Sequence, residues 1–156
     1  TLINFAKFNE KIKFRIGGEG VELNKIKKLA EGLKNITFLG NLNWLDVIKE
    51  YNKSDILYAQ ITDDFKSAIP TKPFEYIIAK RPIILGLPKG PARKLYSDFN
   101  NLYICQPDSK DGIEKALNKV KGVSLKSYKK NKKIIKDNFI REDSLVTFIK
   151  SVEEIK

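Results

Sequence analysis

The sequence has no histidine, no methionine and one cysteine in 156 residues. Each absence removes a class of chemistry. Without an imidazole, no Ser-His-Asp or Cys-His nucleophile set can form within the chain, and no histidine can hold a metal. Cys105 has no partner for an internal disulfide, which fits a reducing cytoplasm. No apolar run approaches the roughly 20 residues needed to cross a bilayer. The opening Thr-Leu-Ile-Asn-Phe-Ala-Lys lacks the basic start and long apolar stretch of a signal peptide. With no methionine and a threonine at position 1, the sequence reads as a piece of a longer chain; a processed N-terminus is the alternative. No metal cluster is expected. Asp63 and Asp64, adjacent acids in a polar loop, read as solvent-facing.

What is present points to a soluble globular domain. Hydrophobic residues make up 42% of the chain and charged residues 31%, and the length suits about one domain with a real core. The net charge is +11. It concentrates in residues 121–136, which hold seven lysines (Lys121, Lys126, Lys129, Lys130, Lys132, Lys133, Lys136) and no acid. Such a run attracts nucleic acid, anionic lipid or phosphorylated ligands, or is simply a solvated helix face.

Short apolar runs alternate with stretches of helical period. Phe14-Arg15-Ile16 is a strand candidate ending at Gly17-Gly18. Leu23, Ile26, Leu29, Ala30 and Leu33 then recur at helical spacing, with Gly32 and Asn35 marking the end. Ile36 to Leu39 is a second strand, followed by a helical stripe of Trp44, Val47, Ile48 and Tyr51. Ile56 to Ala59 is a third strand, a polar loop runs from Gln60 to Ala68, and Pro70 to Ala79 reads as a helix. Pro82 to Leu85 is a fourth strand, Pro91 to Ser97 a short helix, and Leu102 to Cys105 a fifth strand. Ile113, Ala116, Leu117 and Val120 give a further helical stripe. From Leu125 onward only helices are expected, the last with Leu145, Phe148, Ile149, Val152 and Ile155 on one face.

Strands alternating with helices imply βαβ units. The strand runs are mostly continuous apolar, as in a parallel sheet covered on both faces. The expected fold is therefore α/β: a Rossmann-like, doubly wound parallel sheet of five or six strands over residues 1–121. A helical C-terminal tail over 122–156 would pack on it or on a preceding domain.

In such a sheet, ligands sit beyond the carboxyl ends of the strands. The first loop there carries Gly18-Glu19-Gly20, which suits a close approach of backbone amides to phosphate or merely a tight turn into a helix. A dinucleotide fingerprint would need a third glycine, but position 23 is leucine. The loop Ser67 to Tyr76 says more. Thr71 is a candidate N-cap and Pro73 suits a first helical turn. Amides, helix dipole and the Lys72 ammonium would then meet at one spot that suits a diphosphate. Glu75 in that turn can accept hydrogen bonds from vicinal hydroxyls such as a ribose offers, or simply complement the helix dipole. Leu87 to Pro91 adds Lys89 and a flexible Gly90 on the same edge, or is an ordinary strand-to-helix turn.

An ordered set of motifs resembles a known family. It comprises Gly18-x-Gly20, Ile36-Thr37-Phe38-Leu39-Gly40, Tyr51-x-x-Ser54-Asp55, and Pro70-x-Lys72-x-x-Glu75-Tyr76-x-x-Ala79-x-x-Pro82-Ile83-Ile84. Together these resemble the C-terminal, nucleotide-sugar-binding domain of group 1 retaining glycosyltransferases of GT-B architecture, over about residues 12–121. The resemblance implies that Glu75 holds the nucleotide ribose, and that Lys72 and the amides near Thr71 bind the diphosphate. It places Gly18 and Gly20 beside the ligand, and Leu42 and Asn43 in the loop that meets the base. The family's first motif glutamate would fall at position 67, which here is Ser67.

The implied activity is transfer of a sugar from a UDP-, GDP- or ADP-sugar to a glycan or lipid-linked acceptor, in cell-surface polysaccharide synthesis. The donor diphosphate would be stabilised by cations and amides without a metal or other cofactor. An N-terminal acceptor domain would precede residue 1 and complete the cleft, so this stretch alone would be inactive and holds no certain catalytic residue. Its expected place is the cytoplasm, with the 121–136 lysines able to meet the anionic inner face of the membrane. Two alternatives stand beside this. A nucleic-acid-binding module would want aromatics among the cations, and only Tyr128 lies in the run, so nucleic acid is not the expected partner. A nucleotide-sugar epimerase of the same architecture would act on the donor itself.

Overall fold

The computed structural model describes residues 1–139. The expected terminal helix of Leu145 to Ile155 lies outside the described residues. The chain divides into two compact units, Thr1–Lys49 and Glu50–Lys156. Among the described residues, five strands form two parallel sheets, one of two strands and one of three. The α/β class, the parallel pairing and all five expected strands are present; they are grouped in two sheets rather than one continuous sheet.

In the first unit, β1 (Phe14–Gly17) pairs with β2 (Ile36–Gly40) across the helix α2 (Leu23–Leu29). Phe14 and Ile16 are half-buried while Arg15 and Gly17 are exposed, so β1 alternates. That departs from the continuous burial expected of a sheet covered on both faces. A short helix, α1 (Leu2–Lys7), precedes the sheet and buries Ile3, Phe5 and Ala6. It carries too few residues for a periodic signal. Phe5 meets Phe14 edge-on at 6.2 Å. Asn35, expected as a helix end, acts as a clamp. Its side-chain amide donates to the carbonyls of Ala6, Asn9 and Ile12 at 3.0, 3.1 and 3.2 Å. Its own carbonyl accepts from the Phe14 N–H.

In the second unit the strand order is β3 (Leu57–Gln60), β4 (Ile83–Gly86), β5 (Leu102–Cys105). The connecting helices are α4 (Lys72–Ile78) and α5 (Pro91–Tyr96). The helix α3 (Trp44–Lys53) leads into this unit. The central strand β4 is buried at every position, as its unbroken Ile-Ile-Leu run predicts. The core joins Ile77, Ile83, Leu85, Tyr96 and Phe99 to Ile135.

Helices α6 (Lys110–Leu117) and α7 (Leu125–Phe139) follow. Ser109 caps α6 by accepting from the Gly112 N–H at 2.9 Å. Tyr128, Asn131 and Ile135 on α7 are buried, while Lys126, Lys129, Lys130, Lys133 and Lys136 are exposed. Asn131 pairs with the Asn100 backbone twice, accepting from its N–H and donating to its C=O, both at 2.8 Å.

Candidate functional site

A connected polar cluster in the second unit grows from the Pro70–Glu75 segment. Pro73 is buried and fixes its own φ in the first turn of α4. Lys72 opens the helix, so Glu75 lies three residues on, over the same face. The Lys72 ammonium contacts Glu75 Oε2 at 2.8 Å. The Tyr51 hydroxyl, from α3, donates to the same Oε2 at 2.9 Å. Among the described residues both contacts fall on Oε2, and neither on Oε1. The Lys72 ammonium also stands 5.7 Å from the centre of the Tyr51 ring.

Packing holds this cluster in place. The Tyr51 ring meets Tyr76 edge-on at 5.2 Å. The Tyr76 hydroxyl donates to the Tyr58 carbonyl at 3.3 Å. Arg81 donates to the carbonyls of Tyr51 and Asn52, tying the end of α3 to the loop before β4. The Tyr96 hydroxyl donates to the Pro70 carbonyl and so fixes the approach to α4. Burial, then the hydrogen bond and charge of Glu75, push the Tyr51 phenol well above its usual range. Burial and the Glu75 charge push Tyr76 up to about 12. Both phenols therefore stay protonated near neutral pH, and Tyr51 remains a donor to the carboxylate.

The start of α4 offers fewer amides than an unbroken first turn. Pro73 has no N–H, and the Phe74 N–H bonds the Thr71 carbonyl at 3.0 Å. Thr71 occupies the cap position in a helical conformation, and its hydroxyl makes no capping bond. Lys72 is engaged with Glu75, although its side chain is 48% exposed. Ser67 is exposed in the turn after a short 3₁₀ segment, Asp63–Phe65.

The loop after β4 lies against the same region. A Cβ on Gly90 would collide with the Lys66 carbonyl oxygen, so only glycine permits that approach. Arg93 holds this loop by donating to the carbonyls of Leu87 and Cys105. Lys89, Gly90, Ser67, Thr71, Lys72 and Glu75 thus belong to adjoining loops and one helix of the second unit. At the ends of the three strands, Gln60 accepts from the Tyr58 hydroxyl at 2.6 Å and donates to Asp108 at 3.1 Å. Sequence spacing gave no sign of that network, nor of the Tyr51–Glu75 bond across 24 residues.

The other expected residues belong to the first unit. Gly18 and Gly20 have φ of 126° and 156°, with open space where a Cβ would stand. The Gly18 N–H donates to the Gly40 carbonyl at 2.8 Å. Leu42 packs on Gly17. Asn43 caps α3: its Oδ1 accepts from the Asp46 N–H at 3.0 Å, and its Nδ2 donates to the Asp46 carboxylate at 2.6 Å.

Among the described residues, no group of three or more His, Cys, Asp or Glu side chains could hold a metal ion. Burial raises the Cys105 thiol above its ordinary pKa, against a smaller opposing effect of Arg93, which makes it a poor nucleophile. No described helix is long and apolar enough to cross a membrane.

None of the curated proteins compared with the chain matches it. A family model does: the one described as glycosyl transferases group 1 matches residues 2–139. The parallel α/β layers and the ordered motifs agree with that match, and the chain belongs to the group 1 glycosyl transferases, as the C-terminal domain of their GT-B architecture.

Proposed function

We propose that this domain binds the nucleotide of a nucleoside diphosphate sugar, with Glu75 accepting hydrogen bonds from the ribose hydroxyls. The observation that carries the reading is the Glu75 carboxylate itself. It is held through one oxygen by Tyr51 and Lys72, at 2.9 and 2.8 Å. Its side chain keeps 28% exposure in the first turn of α4. A carboxylate oriented in this way matches a vicinal diol, which presents two donors.

In this reading the diphosphate draws the Lys72 ammonium from Glu75 and adds Lys89 and the Gly90 backbone from the neighbouring loop. Cationic side chains, rather than a metal ion, then stabilise the charge that grows on the diphosphate as the sugar leaves. Ser67 replaces a carboxylate with a hydroxyl, which points to a donor sugar held by fewer charged contacts. A second, acceptor-binding domain supplies the rest of the cleft, and the acceptor is a glycan or lipid-linked sugar of cell-surface polysaccharide synthesis. The lysine face of α7 meets the anionic inner face of the membrane.

Titration of the protein with UDP, GDP and ADP, observed by NMR, tests the nucleotide reading. One nucleotide is expected to shift signals at Lys72, Glu75 and Gly90, and Glu75→Ala is expected to abolish those shifts. Binding that survives Glu75→Ala unchanged would remove the carboxylate from the site. Product analysis of the intact enzyme separates sugar transfer from epimerisation of the donor.

A further inference from the structure

We infer that Tyr51 is a positioning residue, whose hydroxyl aims the Glu75 carboxylate at the ribose diol and so sets the preference for ribonucleotides over 2′-deoxyribonucleotides. The inference rests on the assignment of Glu75 to the ribose.

Two donors reach Glu75 Oε2, and they differ in kind. Lys72 is a flexible ammonium on an open surface, 48% exposed. An incoming diphosphate competes for it directly. Tyr51 is 9% exposed and has only two side-chain torsions. Its ring is set edge-on to Tyr76 at 5.2 Å, and its backbone carbonyl is held by Arg81. A neutral phenol is not drawn away by phosphate. Burial keeps it protonated, so it donates in both the free and the liganded enzyme. With Oε2 pinned by Tyr51, the carboxylate cannot rotate freely about its last bond. Among the described residues Oε1 makes no hydrogen bond, which leaves it for a ligand hydroxyl.

The test compares the affinity of the intact enzyme for UDP, GDP and ADP, and for the 2′-deoxy form of whichever binds, by calorimetry. Wild type, Tyr51→Phe, Tyr76→Phe and Glu75→Ala are measured side by side. Tyr51→Phe keeps the ring, its contact with Tyr76 and its place under Lys72. It should lower the ribo-to-deoxy affinity ratio about five- to tenfold, the scale of the net contribution of one hydrogen bond. Glu75→Ala should abolish the ratio. Tyr76→Phe removes a hydroxyl that bonds the Tyr58 carbonyl instead of the carboxylate, and should leave the ratio unchanged. If Glu75→Ala removes the ratio while Tyr51→Phe keeps it, the positioning role fails and the ribose assignment stands. Equal weakening of both nucleotide forms by Tyr51→Phe also overturns it, because that marks general loosening. If Glu75→Ala leaves affinity and ratio intact, or no nucleotide binds, the ribose assignment fails and this inference with it.

Discussion

Glycine at position 90 is demanded by a neighbour rather than by its own torsions. Its backbone is extended, with φ 165°, which any residue adopts. The obstacle is the Lys66 backbone carbonyl, which stands where a Cβ would be. Backbone cannot swing aside as a side chain can. Gly90→Ala should therefore cost about 1–3 kcal/mol of stability, read as a lower denaturation midpoint in guanidinium, and should weaken nucleotide binding in parallel. Gly86 is similar: a Cβ there would stand 2.8 Å from the Gln60 Cβ and 3.4 Å from the Pro107 Cα. In the sequence Gly86 directly follows the Pro82 to Leu85 run, and Gly90 lies in the loop Leu87 to Pro91. Which backbone each one accommodates is a tertiary fact. Lys72 and Glu75 show the complementary case. Their spacing of three on a helix already brought them together, so the ion pair followed from local geometry.

Among the elements, α7 depends on one polar side chain. Asn131 is 4% exposed, and both ends of its amide bond the Asn100 backbone. Asn131→Ala leaves a buried N–H and C=O without partners, at a cost of about 1–3 kcal/mol. Hydrogen exchange should show the loss first in α7 amides, with β4 amides protected as before. A uniform loss across both elements would mean that α7 is not separately anchored. Helix from Leu125 onward was expected from the sequence, and in the structure Tyr128, Asn131 and Ile135 share its buried face. An asparagine on the buried face was not predictable as an anchor, because its partner lies 31 residues away. The opposite error occurred with Asn35, whose position after a helix suggested an end signal. Its role is to gather three carbonyls of the first fourteen residues.

For the molecule as a whole, the tyrosines set an alkaline limit. Tyr76 is raised from 10.0 to about 12, and Tyr51, Tyr58 and Tyr96 are raised too, all chiefly by burial. The folded state then holds phenolic protons more tightly than the unfolded chain. Stability from these groups is fully present below about pH 10 and is lost as pH rises toward 12. The denaturation midpoint should hold steady up to about pH 9 and fall above 10, together with a rise in tyrosinate absorbance. A midpoint that stays level through pH 11 would contradict this. The lysine stripe of α7 gives a second whole-molecule expectation. Lys126, Lys129, Lys130 and Lys133 are exposed at spacings that share one face. Each near an anionic bilayer contributes about 1 kcal/mol. Sedimentation with phosphatidylglycerol vesicles should be lost when these four become glutamine, and should weaken with salt. Equal binding to neutral phosphatidylcholine vesicles would set the idea aside.

The sequence alone determined the α/β class, the five strands and the Pro70–Glu75 helix start. These depend on hydrophobic period, on proline and glycine, and on residue spacing within a few positions. The tertiary structure decided the rest: the division of five strands into two sheets, the Tyr51 bond to Glu75, the Gly90 approach to Lys66, and the Asn131 anchor. Each joins segments that lie far apart in the chain. Local periodicity says which face of an element is buried, but the partner that meets it is chosen only when the chain is packed.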